Sequence, residues 1–158
     1  NVQVLSFLKE RYADLNVIPV EDRYCSERMD LVNPYHHGDI SVKYIEHKPD
    51  YAEYTLSFST QHVHFERAED LMDCIDDFLS EEYAALEFYK GDQRCFGGDI
   101  KTVLLEDLSL KKLADRMGYK PEYLIGFRFT IRSWSGAFDM DTLTRRTEKR
   151  FFENRFRF

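Results

Sequence analysis

"ISVKYIEHKPDYAEYTLSFS", residues 40–59, decides the fold class. Ile40, Val42 and Tyr44 alternate with Ser41 and Lys43, the period of two expected of a strand with one buried face. "HKPDY" then turns the chain, with Pro49 and Asp50 supplying the turn chemistry. Tyr54, Leu56 and Phe58 alternate with Thr55, Ser57 and Ser59 on the way back, so the stretch predicts a β-hairpin.

Outward from this hairpin the period changes. Residues 66–80 place Ala68, Leu71, Met72, Ile75, Phe78 and Leu79 on one helical face. Residues 2–15 read as a helix through Val4, Leu5, Leu8, Tyr12 and Leu15, and residues 16–39 as loop with a short strand. A second hairpin is predicted from Leu86 and Phe88, the turn "KGDQ" and the return "RCFGGDIKTV". Gly97 and Gly98 mark a bulge or a close backbone approach in that return. Residues 110–117 predict a short helix, capped by Asp107 or Ser109 and stopped by Gly118. Phe127, Phe129 and Ile131 give a strand ended by "SWSG", and a last helix is predicted over residues 141–156, capped by Asp141 or Thr142.

The order α-β-β-α-β-β-α-β-α predicts an α+β fold. We expect a single domain over residues 1–158, with a mostly antiparallel sheet of about five strands, helices packed on it, and residues 139–158 as a basic C-terminal helix or tail.

Composition agrees with a folded chain. Of 158 residues, 43% are hydrophobic and 15% aromatic, enough to fill a core and unlike a disordered sequence. No apolar run approaches the ~18 residues of a membrane span. "NVQVLSFLKERY" has neither the basic start nor the apolar stretch of a signal peptide, although the opening Asn leaves room for a lost leader or domain. Cys25, Cys74 and Cys95 are scattered and odd in number, which suggests reduced thiols and a cytoplasmic location.

The formal charge of −7 is unevenly placed. Residues 139–158 carry six basic against four acidic side chains, so residues 1–138 carry −9. Such a body repels membranes and nucleic acid and favours basic partners. Its densest part is residues 66–82. Eight carboxylates (Glu66, Glu69, Asp70, Asp73, Asp76, Asp77, Glu81 and Glu82) stand there against Arg67 alone. Asp70, Asp73 and Asp77 fall opposite the apolar face, at spacings where like charges cost a few tenths of a kcal/mol per pair. That cost is expected of a surface built to meet a basic partner, and equally of an ordinary solvated face.

A second candidate surface lies on "FRFTIRSWSG", where Arg128, Arg132 and Trp134 share a face; arginine and tryptophan are enriched at binding hot spots. The alternative there is cross-strand pairing of the arginines with Glu53 or Glu87. His62 and His64 share a strand face and suggest a metal-dependent hydrolase, with Glu66, Glu69, His36, His37 and His47 as further ligands to test. No H-E-x-x-H, nucleophile elbow or phosphate loop is present, so no catalytic residue, cofactor or metal is assigned.

"SLKKLADRMGYKPEYLIGF", residues 109–127, resembles the helix-turn-helix unit of AraC-type and other bacterial regulators. Ala114, the turn at Gly118, and Leu113, Met117, Tyr119, Leu124 and Phe127 carry the resemblance. It implies a recognition helix starting near Glu122 and Tyr123 and a DNA-binding function. Charge argues the other way, since the would-be recognition helix offers only Lys120 and Arg128 to phosphate, with Glu122 between them, and the body is acidic. The reading that best fits the residues is a non-enzymatic acidic protein engaging a basic protein. In general character this resembles small bacterial inhibitors, including immunity proteins that neutralise nuclease toxins.

Overall fold

A computed structural model describes residues 3–48 and 50–144. The fold is α+β, with nine strands in two antiparallel sheets and three α-helices among the described residues. The chain divides into two compact units, residues 1–79 and 80–158.

The first unit contains α1 (Phe7–Arg11), β1 (Val17–Pro19), β2 (Glu27–Leu31), β3 (Ile40–Lys48), β4 (Tyr51–Phe58), β5 (Gln61–Phe65) and α2 (Ala68–Leu79). Its sheet is a meander in the order β1-β2-β3-β4-β5. The hairpin read from residues 40–59 is β3–β4, with Val42 opposite Leu56 and Tyr44 opposite Tyr54. One face of the sheet carries Met29, Val42 and Leu56, fully buried in the core with Leu71 and Ile75 of α2. Phe58 meets Phe78 with ring centroids 5.1 Å apart.

The helix predicted over residues 2–15 is shorter, a 3-10 turn (Val4–Ser6) leading into α1. Its first turn is fixed from outside the helix. The Leu5 N–H donates to both carboxylate oxygens of Glu27 at 3.2 Å, satisfying a donor left over at the N-terminus. Residues 16–39 hold two strands rather than one. In β2 the polar residue Asp30 is buried between Met29 and Leu31. Arg28 donates to both oxygens of Asp30 at 2.9 Å and the Ser41 hydroxyl donates at 2.7 Å, so the carboxylate is fully engaged.

The second unit contains β6 (Tyr83–Lys90), β7 (Gln93–Lys101), α3 (Leu110–Met117), β8 (Arg128–Arg132) and β9 (Met140–Leu143), with sheet order β7-β6-β8-β9. Leu86, Phe88, Ile100, Leu113, Leu124 and Phe129 form the heart of its core. The expected hairpin is β6–β7, but its register shift leaves Cys95 unpaired between Phe96 and Arg94, while Gly97 and Gly98 pair regularly with Glu87 and Leu86. A Cβ at Gly98 would meet the Met117 sulfur at 3.7 Å, an ordinary packing distance.

α3 has the predicted ends. The Ser109 hydroxyl accepts from the Lys112 N–H at 3.2 Å, and Gly118 takes φ +73°. Tyr119 N–H donates to Ala114 C=O and Gly118 N–H to Asp115 C=O, closing a Schellman motif.

Where a helix was predicted from Asp141, the chain forms β9, with Asp141 opposite Thr130 and Met140 opposite Ile131. The rest of that prediction lies outside the described residues. The one expected sheet of about five strands is thus two sheets, of five and four strands.

Candidate functional site

Helix α2 buries Leu71, Ile75 and Phe78 and turns Glu69, Asp70 and Asp73 to solvent, as does Glu66 just before it. Glu69 and Asp70 lie in the first turn, where the helix dipole favours them. Arg67 reaches Glu69 at 3.7 Å, both side chains being about two-thirds exposed. No other cation pairs with Glu66, Asp70 or Asp73 among the described residues.

Asp76 departs from the expected surface. Its Oδ2 accepts from Arg11 Nη2 at 2.6 Å and its Oδ1 from the Tyr12 hydroxyl at 2.9 Å, so it fastens α2 to the N-terminal segment. Asp77 is half-buried. Glu81 is set apart as well: it takes φ +58°, and its carboxylate accepts from the Ser135 N–H in the second unit. The run of eight carboxylates therefore resolves into five exposed ones, Glu82 being the fifth, one half-buried at Asp77, and two with structural roles, Asp76 and Glu81.

The opposite face of the first sheet is polar and carries two carboxylate hubs. Asp22 accepts from Lys43 Nζ at 2.7 Å, Tyr24 N–H at 2.9 Å and Arg28 Nη1 at 3.5 Å. The lysine ammonium and the backbone donor hold its carboxyl at about 2, well below the usual carboxylate range. Asp22 and Arg28 line an open cleft of about 480 Å³ with Gln3, Pro19 and Ser26.

Glu53 on β4 is the second hub. Oε1 accepts from His47 Nε2 at 2.7 Å and Oε2 from His64 Nδ1 at 3.1 Å, joining three adjacent strands. The two imidazoles, His47 first, lower the Glu53 pKa. His62 sits beside His64 with ring centroids 4.6 Å apart, and its Nδ1 lies 3.3 Å from Ser57 Oγ. Burial, helped by His64 and Lys43, lowers the His62 pKa and favours the neutral ring.

Thr55 stands between Lys43 and His64 in the register. It is fully buried, and its hydroxyl has no hydrogen-bond partner among the described residues.

No protein family, no curated protein and no solved structure matches this chain.

Of the ligands weighed for His62 and His64, the structure brings His47 into the cluster, through Glu53. Among the described residues no three His, Cys, Asp or Glu side chains are placed to hold one metal ion. Glu53 was missed as a histidine partner. The signal available was its position across the "HKPDY" turn from His47, two residues along the strand from Thr55.

The surface read from β8 is not assembled. Trp134 is only 4% exposed. Arg128 donates to Asp141 at 2.9 Å and lies over the Tyr89 ring at 4.5 Å, so it pairs across strands with a carboxylate other than Glu53 or Glu87. Arg132 is held by the carbonyls of Ile131 and Met140, at 3.0 Å each.

Residues 109–127 form a helix but not the pair that the resemblance implied. Residues Pro121–Leu124 make a single 3-10 turn, Gly126 takes φ +88°, and β8 begins at Arg128. Leu113, Ala114 and Leu124 are buried in the sheet's own core. No helix among the described residues is long and apolar enough to cross a membrane.

Proposed function

We propose that the protein is a non-enzymatic binding protein that engages a basic protein through Glu66, Glu69, Asp70 and Asp73. A single observation supports this reading: four exposed carboxylates at the start of one helix share the one weak contact of Arg67. Other carboxylates, Asp22, Asp30, Asp115 and Asp141 among them, have close cationic partners.

Residues 1–79 carry sixteen acidic and seven basic side chains, a net −9, against +2 for residues 80–158. A field of one sign speeds encounter with a basic partner and repels nucleic acid. The class of partner we favour is a basic enzyme blocked by the contact, as immunity-type inhibitors do in the bacterial cytoplasm. The three scattered cysteines fit a reducing compartment.

The test is partner capture at low salt by the native protein and by Asp70→Lys/Asp73→Lys. Capture that falls at least about tenfold in the variant and weakens with salt is expected, since charge reversal at an interface costs well over a kcal/mol. A partner that binds the variant as tightly as the native protein overturns the proposal.

A further inference from the structure

His62 and His64 occupy the same face of β5, two residues apart, as the pairing of Ser57 with His62 and of Thr55 with His64 shows. Both rings are anchored to the sheet by the same atom, Nδ1. In His64 it donates to the Glu53 carboxylate, and in His62 it lies against the Ser57 hydroxyl. Each ring therefore keeps Nε2 for another partner, and neither Nε2 is engaged among the described residues. Both side chains are exposed, so their outer nitrogens are open to solutes.

Metal-binding histidines are held in this way, with the second ring nitrogen donating to a carboxylate or another oxygen that fixes tautomer and orientation. The spacing agrees as well. A cation about 2.0–2.1 Å from each nitrogen sets two imidazole centres roughly 4.5–5.2 Å apart, for ligand angles between right-angled and tetrahedral. The observed separation is 4.6 Å.

We propose that His62 and His64 chelate one divalent transition-metal cation of borderline softness, Zn²⁺, Ni²⁺ or Cu²⁺, through their Nε2 atoms, with Glu53 as the positioning residue. Imidazole pairs select these ions over Mg²⁺ and Ca²⁺, which prefer oxygen. Water completes the coordination. The site stops short of the three protein ligands of a catalytic centre, so it binds metal without an implied hydrolysis. The net −9 of residues 1–79 raises the local cation concentration. This site is independent of the partner surface on α2.

The experiment is calorimetric titration of the untagged protein with Ni²⁺ near neutral pH, with NMR line-broadening to locate the ion. One equivalent should bind, with broadening centred on residues 57, 62 and 64. His62→Ala and His64→Ala should each abolish stoichiometric binding, whereas His36→Ala/His37→Ala should leave it unchanged. Glu53→Gln should weaken it about 10–100-fold, the usual effect of losing an orienting partner. Circular dichroism of each variant separates loss of the site from loss of the fold. Stoichiometric binding that survives in His62→Ala/His64→Ala, or that vanishes in His36→Ala/His37→Ala, overturns the proposal. So does a native protein that binds Ni²⁺ no more tightly than the double variant lacking both β5 histidines.

Discussion

Tyr12 donates its hydroxyl hydrogen to Asp76 Oδ1 at 2.9 Å, and the same oxygen of Tyr12 lies 3.3 Å from the Met72 carbonyl. Burial is the main reason that the Tyr12 pKa is raised, with the Asp76 carboxylate adding to it. The contact ties α2 to the end of α1, so an acidic side chain that looks like surface in the sequence works as a fastener. Tyr12→Phe keeps the ring in place and removes only the hydroxyl. It should cost about 1 kcal/mol, read from urea unfolding followed by circular dichroism. An unchanged midpoint would show that the bond contributes nothing.

Helix α2 should respond oppositely on its two sides. Ile75 is fully buried, and Ile75→Ala should cost about 2–5 kcal/mol. Asp73 is exposed among like charges, and Asp73→Asn should raise stability by a few tenths of a kcal/mol. Thermal melts at low salt make both comparisons. The gain at Asp73 should shrink as salt is added.

The orphaned hydroxyl of Thr55 gives a sharper case. A buried hydroxyl without a partner pays its desolvation cost with no return. Thr55→Val keeps the shape and removes that cost, so stability should hold or rise by about 1 kcal/mol. A clear loss in the melting temperature would reveal a bond that the hydroxyl does make.

Acid should weaken the first unit in two stages. The folded His62 pKa lies below its ordinary value, so the unfolded chain binds the proton more readily. Stability from this group is present above about 6.5 and is lost as pH falls through the lower folded value. Asp22, held at about 2 by Lys43 and Tyr24, contributes above the ordinary carboxylate range near 4 and loses that contribution between there and 2. His62→Gln should flatten the first stage and Asp22→Asn the second, in urea midpoints measured against pH.

Gly118 holds φ +73° at the end of α3, a conformation that costs a side chain about 1–2 kcal/mol. Gly118→Ala should lower stability by that amount although its Cβ would meet open space, so the loss is conformational. Gly118→Asn, which tolerates this region, should recover part of it.

How far the sequence discloses this fold depends on how cleanly each element is one-sided. The hairpins β3–β4 and β6–β7, helices α2 and α3, and strand β8 each carry apolar residues at a regular spacing in the sequence, and all five are legible from it even where Glu87 and Thr130 are buried beside the apolar residues. Strand β2 is not, because Met29 and Leu31 are its only apolar residues, too few to set a period in a stretch broken by Pro19, Pro34 and Gly38. Strand β9 is hidden too, since four residues carry too little pattern to compete with the capping residues Asp141 and Thr142. The histidine cluster failed for a different reason. His47, Glu53 and His64 lie on three strands, and their meeting depends on a register that includes the irregularity between Glu46 and Lys48.

The ends of the first sheet carry a consequence for behaviour in concentrated solution. Its outermost strands are β1, three residues long and closed by Pro19, and β5, five residues long. A proline lacks the N–H that a neighbouring chain would need, and short edges offer few open pairing groups. Such a sheet gives poor purchase for growth by strand addition. Protection against fibril-like association is thus written into the least conspicuous strands of the fold.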